Sequence, residues 1–343
     1  MPIGRRLAPL ALAACLGALA GAPAHAADRH IQLKLSHWVP PSHPLQAAIQ
    51  AWADSIKADS HGSITSVIFP AEQLGKAVDH YDMTRDGIAD GAYVNPGYQP
   101  GRFPIIAAGD IPFTFSDAVR GTEAIDAWYR QYAAREMHDV KYCFAFILDP
   151  ATLHTKRRVV VPADVKGMTL RPADGTIGTW VTLMGGTNVQ ASAPGSRDLL
   201  ERGVAQGIFF PWGSLVLFGM DHVTKYHIDA PMYVSTFVWV LNQARYDSMA
   251  PDQKAVIDNH CNAKWADRFA GPWAKFEEAG RAKVAAEPGQ VLVKLTPAQL
   301  ALWKQSAEPL HADWARGVRR AGLDPKQVYA GLEAEIAKHN AGY

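Results

Sequence analysis

The chain has 343 residues, with 34 basic and 33 acidic side chains and a formal net charge of +1. This length suffices for two lobes that each have a core. The near-neutral charge provides no basic excess that would attract nucleic acid or an anionic membrane surface.

The N-terminus has the pattern of a secretory signal peptide. Arg5 and Arg6 form a basic start, an apolar run follows, and Ala24–Ala26 is a small-x-small cleavage site. We therefore expect removal of residues 1–26 and export to the periplasm. The segment ending at Cys15 resembles a lipoprotein cleavage box, but cutting there would leave only half of the apolar run in the signal. No later stretch has the roughly 18 apolar residues of a membrane span, so we expect a soluble mature protein.

Strands and helices are predicted to alternate in the next part of the chain. Apolar and polar residues alternate over 31–35, helical spacing follows over 45–59, and strands are predicted for Ile64–Phe69 and Ala89–Val94. This rhythm indicates a parallel sheet covered on both faces, with ligands in the crevice at the carboxyl ends of the strands.

Three candidate binding residues follow predicted strand ends. Trp38 lies in a proline-rich loop after the first strand, and Asn95 begins a loop rich in glycine and proline. Arg171 ends a short strand that is entered by a tight turn at Gly167.

Further elements are predicted towards the C-terminus. Ser116 is expected to cap a helix, and Cys143–Leu148, Val159–Val161 and Met232–Leu241 are predicted strands. From Pro251, apolar residues at near i+4 spacing predict one long amphipathic helix. These residues are Ile257, Cys261, Trp265, Phe269, Trp273 and Phe276. Gly271-Pro272 is expected to kink or split that helix, and Thr296 opens a further helix with a capping box.

Cys143 and Cys261 are the only cysteines beyond the signal segment. They could pair in an oxidising compartment. Two cysteines far apart in sequence do not make a disulfide framework, so we expect two buried thiols.

Four segments, in this order, resemble motifs of one family: Pro70–Gly75, Asp110–Phe113, Pro162–Arg171 and Gly203–Pro211. The first is similar to P-x-x-Q-L-G, and the last two carry the spaced glycines, Arg171 and a closing proline. The chain after the signal segment is similar over its whole length to the substrate-binding proteins of TRAP transporters, of the dicarboxylate-binding (DctP) type.

The resemblance implies an α/β, two-lobe periplasmic binding protein fold with a hinge and a long helix spanning both lobes. Lobe I would comprise residues 27–149 plus 237–275, and lobe II residues 150–236 plus 276–343. The implied partners are a small-molecule carboxylate and the small and large TRAP membrane subunits. We expect a monomer that uses no cofactor and no metal and binds no nucleic acid.

In this family the arginine that matches Arg171 forms a two-pronged salt bridge with the ligand carboxylate, which suits the paired donors of a guanidinium. Positions that are polar in family members binding polar acids are here aromatic, aliphatic or neutral: Trp38, Asn95, Leu153, Phe209 and Phe210. A second anionic group on the ligand would therefore be buried without a counter-charge. The sequence favours one carboxylate on an apolar or aromatic body.

The predicted ligand-binding residues are Arg171, Trp38, Asn95, Phe209, Phe210, Tyr93, His154, Trp212 and His37. For Tyr93 and Trp212 an ordinary core position is an equal alternative. Tyr98 is assigned to lobe packing or transporter docking instead.

Metal binding, catalysis and ligand sensing are the alternatives to solute transport. The spacings of His37 with His43 and of His222 with His227 fit no compact metal site. An exported enzyme acting on aromatic acids would use His37 or His154 as a general base. A periplasmic ligand sensor for a signalling receptor could have the same sequence.

Overall fold

The computed structural model describes residues 1–2 and 30–343. The predicted cleavage site at residue 26 and Cys15 lie outside this described part. The strands are β1 Ile31–Ser36, β2 Ile64–Phe69, β3 Gly91–Val94, β4 Val140–Ile147, β5 Thr152–Thr155, β6 Thr169–Arg171, β7 Thr187–Asn188, β8 Gly207–Phe210, β9 Tyr226–Ile228, β10 Thr236–Asn242 and β11 Val291–Val293. The helices are α1 Pro44–Asp59, α2 His80–Arg85, α3 Ala118–Tyr129, α4 Ala133–Glu136, α5 Gly175–Leu183, α6 Ser196–Glu201, α7 Trp212–Leu217, α8 Gln243–Asp247, α9 Pro251–Asn259, α10 Ala263–Ala286, α11 Pro297–Ala307, α12 Pro309–Arg320 and α13 Pro325–Lys338.

The strands form two sheets. The first has the order β2-β1-β3-β10-β4 and is the centre of lobe I, and the second has the order β11-β9-β5-β8-β6-β7 and is the centre of lobe II. The first sheet is mixed rather than parallel as predicted, since β10 runs antiparallel to β3 and β4. The chain leaves this sheet at the end of β4 and re-enters at the same end as β10, so β10 must reverse direction.

Two segments cross between the lobes side by side. Ala151 and Tyr233 form an isolated antiparallel bridge, and the N–H of Leu148 donates to the carbonyl of Ser235 (3.3 Å). The Asp110–Phe113 motif is attached to the returning segment, because the Asp110 carboxylate accepts the backbone N–H of Thr236 (2.7 Å). This family motif therefore anchors the crossing between the lobes.

The predicted long helix is divided, but not at the proline. It breaks at residues 260–262, where Asn262 caps α10 by accepting the backbone N–H of Trp265 (3.2 Å). α10 then continues through Pro272 for 24 residues. The ring of Pro272 removes one backbone hydrogen bond, but Phe269 and Trp273 on either side are buried in the core and hold the helix together.

Helix α10 contacts both lobes. It packs against α1, α3 and β4 of lobe I and against α7 of lobe II. At the α7 contact the backbones touch, since a Cβ on Gly280 would lie 2.2 Å from the Cα of Gly213. The last helix departs from the predicted boundaries: α13 packs on α3, and Trp128 Nε1 donates to the carbonyl of Val328 (2.9 Å). The end of the segment assigned to lobe II thus returns to lobe I.

Two local predictions were wrong. Val159–Val161 is not a strand, because the N–H groups of Val160 and Val161 donate to the Asp164 carboxylate (2.8 and 3.0 Å) instead of a sheet neighbour. Asp117, not Ser116, caps α3 and accepts the N–H of Arg120 (2.9 Å).

Cys143 and Cys261 form a disulfide, so the expectation of two thiols was wrong. The bond joins the core strand β4 to the break between α9 and α10, with the two Cα atoms 4.3 Å apart. Folding brings these segments together across a separation of 118 residues, which sequence spacing did not indicate.

Within the described residues, no helix combines the length and the apolar character that crossing a membrane requires.

Candidate ligand-binding site

Arg171, the last residue of β6, is a buried cation that is only 1% exposed. Its Nε donates to the carbonyl of Ala191 (2.9 Å), its Nη1 to the carbonyl of Phe209 (3.4 Å) and its Nη2 to the hydroxyl of Tyr98 (3.4 Å). All three acceptors are neutral oxygens. These hydrogen bonds hold the guanidinium in place without pairing it directly with a carboxylate, a costly arrangement for a buried ion.

A buried carboxyl group lies within electrostatic reach of Arg171. Asp174 caps α5 by accepting the backbone N–H of Ile177 (2.9 Å), and it also accepts the hydroxyl of Ser235 (3.1 Å). Burial raises the pKa of Asp174 to about 6. Burial, with Asp174 as a further cause, raises the pKa of Asp110 well above its usual range. Arg171 opposes the shift of Asp174, so the two charges interact through space, although the hydrogen bonds of the guanidinium go to neutral oxygens.

Arg171 lines a small cavity with about 30 Å³ of interior space. The predicted residues Trp38, Asn95 and Phe210 line it as well. The remaining lining residues are Val39, His43, Tyr98, Leu148, Ala173, Ala193, Pro211, Ser214, Phe218, Tyr233, Ser235, Phe237 and Trp273. Both lobes and the crossing segments contribute, so the cavity lies between the lobes.

The other five predicted residues lie outside the cavity lining: His37, Tyr93, His154, Phe209 and Trp212. Phe210 lines the cavity and Phe209 does not, because neighbouring side chains of a strand point to opposite faces of the sheet. The Phe210 ring lies 5.5 Å from the Arg171 guanidinium carbon, whereas the Phe209 ring packs on Trp180 at 5.5 Å between centroids.

Residues around Trp38 hold its indole in place. The Tyr93 ring stacks on it at 4.8 Å between centroids. His37 is buried, and desolvation lowers its pKa to about 4. The backbone of the Pro70–Gly75 motif donates to the carbonyls of Val39 and His37 (3.1 and 3.4 Å). That family motif therefore fixes the loop that presents Trp38.

His154 serves the framework behind the cavity. Its Nε2 donates to the carbonyl of Phe210 (3.0 Å), its Nδ1 lies 2.7 Å from Nδ1 of His227, and the ring of Trp212 packs against it at 4.8 Å between centroids. Burial lowers the pKa of His154 well below its usual value. Both ring nitrogens are engaged, so His154 positions the Phe210 backbone and is not free to act as a general base.

A larger groove has about 340 Å³ of interior space. It is lined by residues of the 96–107 segment, α5 and α12. It contains none of the predicted site residues, and the arginine that lines it, Arg320, is exposed. We therefore place the candidate site in the smaller cavity.

The sequence pattern of the bacterial extracellular solute-binding proteins, family 7, matches residues 35–317. The chain belongs to this family. Among curated relatives, a solute-binding protein of Roseobacter denitrificans is 24% identical over 174 residues, which cover 50% of this chain and 53% of that protein. An uncharacterized protein of Sinorhizobium fredii is 24% identical over 198 residues, 57% of this chain and 37% of that protein. The matched segments thus span between about a third and a half of these relatives.

Solved structures of TRAP solute-binding proteins are similar over almost their full length. One from Rhodoferax ferrireducens, in complex with copurified benzoate, has a TM-score of 0.85, 26% identity and coverage of 90% of this chain and 98% of that chain. One from a marine metagenome, specific for aromatic acid ligands and in complex with metahydroxyphenylacetate, has a TM-score of 0.84, 30% identity and coverage of 90% and 99%. One from Bordetella bronchiseptica, with bound (R)- and (S)-mandelate, has a TM-score of 0.83, 26% identity and the same coverage.

These comparisons confirm the predicted family and the two-lobe α/β fold. Members of the family are binding proteins and not enzymes, which removes the enzyme alternative for this solute-binding protein.

Sequence reasoning missed several residues of the cavity wall. Tyr98, assigned to packing or docking, accepts the N–H of Ala193 (3.0 Å) and a hydrogen bond from Arg171. Tyr233 lies in a predicted strand and Trp273 in a predicted helix, and neither was predicted to bind the ligand. The spacing of apolar residues predicts only that both side chains are buried. No local signal indicated that the packing would bring them to the cavity rather than to the core.

Glu277 of α10 positions two of these wall residues. It is buried, and it accepts the Trp273 indole N–H (2.6 Å) and the Ser214 hydroxyl and N–H (2.6 and 3.1 Å), with a further hydrogen bond from the N–H of Gly213. These backbone donors begin α7, where a negative charge is favoured. Burial raises the pKa of Glu277 to about 7, opposed by the hydrogen bonds it accepts.

We expect Glu277→Gln to change how stability depends on pH. Because the pKa of Glu277 is raised in the folded protein, this group contributes to the free energy of unfolding at low pH. The contribution is fully present below the unfolded pKa near 4.5 and is lost as pH rises through about 7. From pH 5 to pH 8 this loss amounts to about 2 kcal/mol in the wild type, and the variant should lack it. Urea denaturation across this range measures the difference. Glu278→Gln, an exposed neighbour on the same helix, is the control. Parallel pH profiles for wild type and Glu277→Gln would contradict the assignment.

The fold also brings together Asp221, His222 and Glu287, whose possible metal-ligand atoms lie within 4.8 Å of one another. Sequence spacing did not indicate this group, because Glu287 comes from the end of α10. None of the three lines the cavity, so the group is separate from the candidate site.

Proposed function

We propose that this protein captures a small monocarboxylic acid with an aromatic or apolar body in the periplasm and delivers it to the small and large membrane subunits of a TRAP transporter. The observation that carries the proposal is the buried guanidinium of Arg171, whose protein partners are neutral oxygens. A guanidinium presents paired donors that match a carboxylate. Burial strengthens such a pair, since the surroundings screen charge less than water does.

Aromatic rings around Arg171 support the apolar character of the ligand body. Trp38, Phe210, Phe237 and Trp273 line the same cavity, and each ring stacked on a flat ligand adds about 0.5–1.5 kcal/mol. A second carboxylate would be buried without a counter-charge at a cost of several kcal/mol. The bound benzoate and mandelate of structural relatives agree with this ligand class.

The two lobes contribute different parts of the site. Trp38 and Asn95 follow β1 and β3 of lobe I, while Arg171 and Phe210 end β6 and β8 of lobe II. A ligand that touches both groups favours the closed arrangement, because it binds the closed lobes better than the open ones. An N-terminal signal peptide would export the chain to the periplasm.

A thermal-shift screen of the purified mature protein tests the proposal. We expect benzoate-type acids to raise the melting temperature as their concentration rises, with about 3 kcal/mol of stabilisation at one hundred times the dissociation constant. Succinate and other aliphatic dicarboxylates should act more weakly. A stronger response to succinate than to any aromatic monocarboxylate would refute the proposed ligand class.

A further inference from the structure

Two residues that line the cavity have buried hydrogen-bond donors without a partner among residues 1–2 and 30–343. These are the indole Nε1–H of Trp38 and the hydroxyl of Tyr233. A buried donor left unpaired destabilises the protein, and native proteins satisfy almost all such groups. An indole N–H can only donate, so its missing partner must be an acceptor.

Asn95 and His43 add donors to the same wall. The side-chain oxygen of Asn95 accepts the N–H of Gly97 (2.9 Å), which orients the amide and leaves its NH2 group as the available end. The Nδ1 of His43 accepts the N–H of Leu45 (3.1 Å), so the ring proton is on Nε2. Burial lowers the pKa of His43 to about 3, which keeps the ring neutral.

The two carboxylates nearest the cavity already accept hydrogen bonds from its lining. Asp174 accepts the hydroxyl of Ser235, and Glu277 accepts the hydroxyl of Ser214 and the indole N–H of Trp273. Ser235, Ser214 and Trp273, which donate these hydrogen bonds, line the cavity, whereas the two carboxylates lie outside its lining. The lining therefore presents several neutral donors besides the guanidinium of Arg171.

We infer that the ligand carries, besides its carboxylate, a neutral oxygen acceptor on its body, such as a hydroxyl, methoxy or keto group, which Trp38 Nε1–H and the Asn95 amide receive. This inference rests on the proposed function, since it assumes the carboxylate at Arg171. The acceptor is neutral because Trp38 and Asn95 offer no positive charge. The ligand then joins lobe II through its carboxylate and lobe I through its second oxygen.

Tyr233 is assigned to the carboxylate end. It lies on the crossing segment, within electrostatic reach of both Arg171 and Tyr98. Its hydroxyl can therefore donate to the anionic group that Arg171 binds, whereas Trp38 and Asn95 lie at the strand ends of lobe I.

Isothermal titration of the purified protein with matched acids tests the inference. The ligands are benzoate, its 3- and 4-hydroxy forms and the corresponding methoxy forms. We expect the better oxygenated isomer to bind about tenfold more tightly than benzoate, because a donor that stays unpaired with benzoate becomes paired. The methoxy form should retain most of this preference, since a methoxy oxygen can only accept.

Variants separate the two ends of the ligand. Trp38→Phe removes the donor and keeps an aromatic ring. This variant should bind the oxygenated acid and benzoate with about equal affinity. Asn95→Asp keeps the oxygen that accepts from Gly97 and removes the NH2 group, and it should act in the same direction. Tyr233→Phe should weaken benzoate and its oxygenated form by the same factor.

The outcomes distinguish this inference from the proposed function. Equal affinities of wild type for benzoate and every oxygenated form would overturn the inference and leave the proposed function standing. An unchanged preference in both Trp38→Phe and Asn95→Asp would also overturn it. Failure of every aromatic acid to bind would instead contradict the proposed function itself.

Discussion

Replacing Arg171 by alanine is expected to abolish the stabilisation of the protein by every carboxylate ligand. The guanidinium is buried among neutral acceptors, and a carboxylate buried without its partner costs about 3–5 kcal/mol. Affinity should therefore fall by at least about a hundredfold, measured by isothermal titration with the tightest acid from the screen.

Two further variants control for charge and for folding. Arg171→Lys keeps the positive charge but loses the planar pair of donors, so it should recover only part of the affinity. Arg202→Ala removes an exposed arginine that pairs with Asp198 at the surface, and it should bind like the wild type. If Arg171→Ala is folded by circular dichroism and binds within about threefold of wild type, the carboxylate is held elsewhere.

Removing the disulfide is expected to cause the largest loss of stability. The bond between Cys143 and Cys261 closes a loop with a sequence separation of 118 residues, and loops of this length correspond to about 4–5 kcal/mol of unfolding free energy. The double variant Cys143→Ala/Cys261→Ala should therefore unfold at a lower urea concentration. Urea denaturation of the wild type with and without a reductant gives an independent measurement.

Each single alanine variant and the reduced wild type provide the comparison. Both singles should lose about as much stability as the double variant, because either one breaks the cross-link. A loss below about 1 kcal/mol in the double variant would show that packing of β4 against the break between α9 and α10 holds these segments without the bond. Ligand affinity should stay unchanged in the folded variants, since neither cysteine lines the cavity.

The family motifs are recognisable in the sequence, and each has a definite structural role. Gly167 has a positive φ of 74°, as the predicted tight turn before β6 requires. Pro70–Gly75 fixes the loop of Trp38, and Asp110 anchors the segment that crosses between the lobes. These motifs depend on short-range chemistry, such as a turn, a cap or a strand end, which few consecutive residues specify.

Errors in the prediction arose where distant segments meet. The disulfide depends on the contact of β4 with the start of α10, and the antiparallel direction of β10 depends on where the chain re-enters the first sheet. The expected kink at Pro272 did not divide α10, because buried neighbours outweigh one missing hydrogen bond.

The sequence by itself determined the fold class and the family, because the motifs that carry them are short and their order can be read along the chain, and the resemblance to that family singled out Arg171. Only the tertiary structure decided which aromatic rings reach the cavity. Phe210 lines it and Phe209 does not, because the sheet sends adjacent side chains to opposite faces. Tyr98 and Tyr233 join Arg171 through packing between segments far apart in the chain, and no local pattern encodes such contacts.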